Sequence, residues 1–349
     1  MCGYAIVMRA VLCLLTAWSG AVASVAQGLP PLAWSVMGAH AGRVQGIAFS
    51  PDGQTLATAG EDKSIKLWRA SDGLLLQSRT GLPKAVGGVR YSPDGQLVAT
   101  CSFVHEGLDQ NDHTVRVWTA SDLSPVAVLS GPTMDVQAVA WSKDGSILAC
   151  AGRDGSVRSW RRSDWNPVAS LFLTTWPIMD LKTTPDGQAF VSLDFSGDIR
   201  EHDVATLGVT RTTVTNMHSC FPCLAFGKGS RMVAAIAFST MPWFDRWTGQ
   251  TVYRTSQISQ CYAADTAQDG RTMLFAGLGG DREIEVWNVA TRMRVKMYDS
   301  YVEGGFDHPF SLSCQPGTSD RFAYGTFRGN LRMATNPFCR PPVASGSVR

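Results

Sequence analysis

Two short stretches place reactive side chains close together. "CFPC", with Cys220 and Cys223 at its ends, has the spacing of a thiol–disulfide centre. That chemistry needs a thiolate stabilised by a helix N-terminus or a cation, yet the motif opens a run of strand-forming residues. A disulfide involving Cys220 and Cys223, within the motif or to a neighbouring repeat, and buried free thiols remain the alternatives. "FVHEGLDQNDH", residues 103–113, gathers His105, Glu106, Asp109, Asp112 and His113. Carboxylates would suit Ca²⁺ and imidazoles Zn²⁺, but the spacing matches no calcium loop. The expectation is a solvated or partner-contacting loop, with no metal and no other cofactor. The chain has no G-x-S-x-G elbow, HExxH, P-loop or Gly-rich dinucleotide fingerprint, so no catalytic residue is assigned and no enzyme is expected. A hydrolase or lyase assembled from acids and histidines distant in sequence stays as the alternative.

These residues interrupt a repeat. Asp-Gly pairs begin at Asp52, Asp94, Asp144, Asp186 and Asp269, and Lys228-Gly229 fills the gap, giving steps of 42, 50, 42, 42 and 41 residues. "FSLSCQPGTSDRFAYGTFRGNLRMA" adds a seventh, degenerate unit. In the first unit, β-type runs at 44–49, 55–59, the stretch ending at Trp68, and 74–79 alternate with turns rich in Asp and Gly. Four antiparallel strands per unit at a period of about 40 residues predict propeller blades. The chain has 349 residues, 44% hydrophobic and 17% charged, with formal net charge +2. That composition supports a large core, and the scattered Lys and Arg give no concentrated field for nucleic acid or an anionic membrane.

The stretches "SPDGQTLATAGEDKSIKLW", "SPDGQLVATCS…DHTVRVW", "SKDGSILACAGRDGSVRSW", "TAQDGRTMLFAGLGGDREIEVWNVAT" and "FDRWTGQTV" resemble the WD-repeat β-propellers. The resemblance implies an all-β, seven-bladed β-propeller of four-stranded antiparallel blades, with "LAWSVM" at 32–37 joining the last blade to close the ring. It also implies a structural network of His, Ser/Thr, Asp and Trp, mapping in full onto His40, Thr58, Asp62 and Trp68. Asp112 with Trp118, Asp154 with Trp160, and Asp281 with Trp287 keep part of it without a histidine, which points to apolar packing in those blades. The Trp-Asp pair that names the family is replaced by Trp68-Arg69, Trp118-Thr119, Trp160-Arg161 and Trp287-Asn288; Phe244-Asp245 and His202-Asp203 keep the acid.

By the same resemblance, the 103–113 insertion and the connections carrying Trp176, Tyr301, Phe306 and His308 share one face. Phe103, His105, Glu106, Asp109 and these four residues form the expected surface for protein partners, which aromatic, charge-poor loops suit. At the N-terminus, Arg9 precedes an apolar run and small residues, the layout of a secretory signal peptide over residues 1–26, with an uncleaved anchor as the alternative and Met8 as a second candidate start. The mature chain would be a secreted or periplasmic propeller over 27–340 with a flexible tail at 341–349, acting as a non-catalytic binding scaffold or as a subunit of an envelope complex. No membrane insertion beyond the leader is expected.

Overall fold

The computed structural model describes residues 30–102, 112–214, 223–227, 232–235, 241–255, 260–278, 283–299, 301–302, 305–318 and 320–336. The proposed leader, the tail, Phe103, His105, Glu106, Asp109, Cys220 and Asp281 lie outside them. The described residues form strands, turns and bends with no helix. Seven four-stranded antiparallel sheets and one two-stranded ribbon account for the strands. In the first sheet the order is Val44–Phe49, Thr55–Gly60, Ile65–Arg69 and Leu75–Arg79, from innermost to outermost. The innermost strands of the sheets that follow are Val86–Tyr91, Val136–Trp141, Ile178–Thr183, Leu224–Phe226, Gln260–Thr266 and Pro309–Cys314. Each packs beside the next, and the last packs against the first, so the sheets surround a central channel as propeller blades.

Ring closure comes from the chain's first strand. Leu32–Val36 pairs antiparallel with Leu331–Thr335, supplying the outer strand of the sheet whose other three strands come from the far end of the chain. The Trp34 indole N–H then donates to the Ala70 carbonyl at 2.9 Å, fastening this strand to the neighbouring blade.

One turn geometry recurs between the first and second strands of the blades. Ser50, Ser92, Ser142 and Thr184 donate their hydroxyls to Asp52, Asp94, Asp144 and Asp186 at 2.5, 2.6, 2.5 and 2.5 Å. The same carboxylate oxygens accept the amides of Gln54, Gln96, Ser146 and Gln188. Gly53 completes the first turn at φ 69°, and a Cβ there would lie 2.6 Å from the Pro316 carbonyl of the last blade. The degenerate turn keeps the geometry with other residues. Gly317 has φ 79°, its amide donates to Gln268 at 2.6 Å, and Gln315 reaches back to the Gly53 carbonyl at 2.7 Å.

The core lies between neighbouring sheets. Ala57, Ile65, Val89, Val98 and Trp118 join blades 1 and 2, and Val117, Val139, Leu148 and Trp160 join blades 2 and 3. The second strands Thr55–Gly60 and Ile147–Gly152 are buried almost throughout, whereas the outer strand Leu75–Arg79 is exposed along its length.

Candidate partner-binding face and central channel

In the first blade, four side chains form one chain of hydrogen bonds. The Trp68 indole donates to Thr58 Oγ1 at 2.8 Å, Thr58 lies 2.7 Å from His40 Nε2, and His40 Nδ1 lies 2.9 Å from Asp62 Oδ1. Because Trp68 occupies a lone pair of the Thr58 oxygen, the hydroxyl proton is available to His40 Nε2, which leaves Nδ1–H to donate to Asp62. Burial opposes ionisation of Asp62, but His40, the Ser64 hydroxyl and the Ala41 amide outweigh it and hold the carboxyl well below its usual range. His40 and Thr58 are fully buried, so this group fixes the turns that lead to one face of the ring.

Other blades satisfy the same positions differently. Trp118 donates to Thr100 at 2.9 Å, while Asp112 pairs with Arg116 at 2.8 Å and Asp154 with Arg158 at 2.7 Å. In the sixth blade Phe275 takes the threonine position, and the Trp287 indole donates to Glu285 at 2.7 Å instead, with Arg294 3.1 Å from the same carboxylate. His202 stands where tryptophan would in the fourth blade. Its Nδ1–H donates to the Leu207 carbonyl at 3.0 Å, so Nε2 accepts from Ser192 at 2.8 Å. The last blade uses a buried ion pair: Asp307 and Arg332 lie 3.0 Å apart, and Asn330 donates to Asp307 at 2.6 Å. In the second and sixth blades Thr100 and Glu285 accept the indole N–H, and Arg116 and Arg158 pair with the turn carboxylates of the second and third, whereas Trp160 of the third lies in an apolar cluster with Val139 and Leu148.

The channel holds a cavity of about 540 Å³ near the Pro-Asp-Gly turns, and a second of about 140 Å³ toward the opposite mouth. Lys182 spans the channel, donating to the Leu224 and Ala264 carbonyls at 2.6 and 2.7 Å. The channel carboxylates are committed to backbone amides. Asp180 accepts from Leu224 and Leu181, both at 2.9 Å, and Asp265 accepts from Cys314 and Thr266, both at 2.8 Å. A carboxylate held this way is a strut rather than a general base. His40 and His202 are likewise locked inside blades, and among the described residues no group of three or more His, Cys, Asp or Glu gathers as a metal site.

The opposite mouth is aromatic. Tyr262 stacks on Phe310 at 4.7 Å, while Phe310 and His308 meet Phe327 edge-on at 6.2 and 6.4 Å. The Arg43 guanidinium lies 3.9 Å from the Phe327 ring centroid and 3.4 Å from Glu61, which aligns the ring and the cation at the rim. Phe327 is 37% exposed. On the same face, between the third and fourth blades, Trp176 is 44% exposed and stacks on Phe195 at 5.7 Å.

Residues 34–69, 75–119 and 123–161 match the family model described as "WD domain, G-beta repeat". The first three blades thus carry WD repeats. It is 42% identical over 53 residues to "WD repeat domain-containing protein 83" of Danio rerio, covering 15% of this chain and 17% of that protein. It is 32% identical over 131 residues to "Probable cytosolic iron-sulfur protein assembly protein 1" of Candida glabrata, covering 34% of this chain and 36% of the relative. Identity to "Coronin-7" of Bos taurus is 32% over 120 residues, 34% of this chain and 13% of the relative. The chain thus spans 36% or less of the length of these relatives.

In this propeller the departures from Trp-Asp have a structural replacement. Where the acid follows directly, Asp203 caps the amides of Ala205 and Thr206, and Asp245 those of Trp247 and Thr248. Where it does not, an acid further along the turn acts: Asp72, Asp122 and Asp164 accept from Leu74, Ser124 and Asn166, each at 3.1 Å.

Of the surface residues expected from sequence, Trp176 and His308 are in place on the loop face. Tyr301 and Phe306 belong to a two-residue ribbon, paired through their backbones, and their side chains lie outside the described set. The insertion's described end is pinned: Asp112 accepts from Thr114 at 2.6 Å and pairs with Arg116, and His113 lies 3.4 Å from Asp135, itself 2.6 Å from the buried Lys84. Sequence reading missed Arg43, Tyr262, Phe310, Phe327 and Phe195. Phe327 carried a signal: it opens the second-to-third-strand turn "FRGN" of its blade, as Phe195 opens "FSGD" in the fourth. Cys223 is buried facing Cys261 of the next blade. Cys101 and Cys150 are buried free thiols, and burial pushes Cys101 up to about 12 despite the Gly88 amide.

Proposed function

We propose that this chain is an exported, non-catalytic scaffold that binds a protein partner on the loop face of a seven-bladed ring. WD-repeat propellers typically serve as protein-interaction scaffolds, and the seven four-stranded sheets supply the blades. The observation that carries the reading is the rim cluster of Tyr262, Phe310, Phe327 and Arg43, aromatic rings around a cation at a channel mouth. Aromatic and Arg side chains dominate the centres of protein interfaces because they bury large area at small entropic cost. Export rests on Arg9 and the apolar run that follows it, which would deliver the ring to the periplasm or cell exterior.

Capture from the native envelope fraction tests the proposal, comparing wild type with Phe327→Ser and with a deletion of residues 107–111. The expected result is a partner retained by wild type and depleted at least tenfold by Phe327→Ser, the loss of about 1.4 kcal/mol or more that an interface anchor carries. Identical captured proteins for all three forms would remove the face assignment.

A further inference from the structure

The sulfurs of Cys223 and Cys261 lie 2.9 Å apart, inside van der Waals contact, in two different blades. Cys223 immediately precedes the innermost strand Leu224–Phe226, and Cys261 is the second residue of the neighbouring innermost strand Gln260–Thr266. Both are buried, at 5% and 2% exposure, in one apolar cluster with Ala225, Trp243, Met273, Phe275 and Trp287. A disulfide requires the sulfurs to close to about 2.05 Å, an approach of under about 1 Å from this arrangement. We propose that Cys223 and Cys261 are an oxidation site, forming an interblade disulfide that staples the fifth blade to the sixth.

The geometry also defines how the bond is made. Cys223 is among the residues that line the smaller channel cavity and Cys261 is not, which makes Cys223 the first point of attack in the proposed exchange. Its thiolate attacks a low-molecular-weight disulfide, forming a mixed disulfide and releasing one thiol. The Cys261 thiolate then attacks the Cys223 sulfur and releases the second thiol. Two protein thiols and one reagent disulfide become one protein disulfide and two reagent thiols, and the two protons lost by the cysteines end on the thiols released. Burial, followed by the neighbouring Cys261, holds the Cys223 thiol well above its ordinary range, while the nearby Lys182 charge opposes this only in part. Exchange is therefore slow and awaits an oxidising compartment. The "CFPC" motif thereby has a different reading, in which Cys223 is joined across the blade boundary rather than to Cys220.

The test uses the purified full chain, reduced and then incubated with oxidised glutathione. The expected outcome is an intact mass lower by about 2 Da, a proteolytic fragment joining Cys223 to Cys261, and an unfolding midpoint that rises by several degrees and returns on adding dithiothreitol. Cys261→Ser is expected to stop at the glutathione adduct on Cys223. Unchanged mass with both thiols still titratable, or a fragment joining Cys223 to Cys220, would overturn the proposal. The wild-type mapping stands without the variant, and neither result depends on whether the loop face binds a partner.

Discussion

At the scale of single residues, the blades show one requirement met by several residue types. A third-strand tryptophan brings an indole N–H into a dry space, and Thr58, Thr100 and Glu285 each accept it. Thr58→Val would leave both the Trp68 N–H and His40 Nε2 without their partner. The expected loss is about 2–6 kcal/mol in denaturant unfolding, since each of the two buried polar groups left unpaired costs about 1–3 kcal/mol. A loss within error of zero would show that the four residues do not act as a chain. His202 gives the pH dependence. Burial is the main cause that lowers its pKa below 6.5, with the Arg200 charge adding to it and the Leu207 carbonyl opposing. The unfolded chain therefore binds the proton more readily, and stability contributed by neutral His202 is full above about pH 6.5 and declines below it, toward the lowered folded value. Between about pH 7 and 5, wild type should lose more stability than His202→Phe, whose slope should be flatter whatever its absolute stability. Equal slopes by chemical denaturation would contradict this.

The elements differ in how plainly the sequence announced them. Strand runs and Pro-Asp-Gly turns were legible because their side chains act locally: Ser50, Asp52 and Gly53 close a turn among themselves, so spacing alone reveals it. The closing strand Leu32–Val36 was legible for a topological reason, since a blade short of one strand and a strand short of a blade must meet. Partners supplied across blade boundaries were not legible. Arg43 over Phe327 and Cys223 against Cys261 join residues 284 and 38 positions apart, and no local pattern encodes either. The closing strand carries its own prediction. Removing residues 30–36 exposes the edge of Leu331–Thr335 and frees Ala70 from Trp34, so the truncated chain should unfold at lower temperature and self-associate through the bare edge. Size-exclusion chromatography with light scattering checks this, and a truncated chain as stable and as monodisperse as wild type would contradict it.

At the scale of the whole molecule, the ring separates stability from recognition. Inter-sheet clusters and buried polar chains hold the blades, the channel carboxylates are bound to backbone amides, and the rings at one mouth come from the Phe327 turn and from the innermost strands that carry Tyr262 and Phe310. That division leaves loop residues free to change partner without disturbing the core. In the function proposed above, the aromatic rim rather than the channel is the recognition surface. Site-specific photo-cross-linking from position 327, compared with position 128 on the exposed outer strand of the second blade, measures this directly in the native host. The account predicts a discrete protein adduct from 327 and none from 128; equal labelling from both positions, or none from 327, would contradict it.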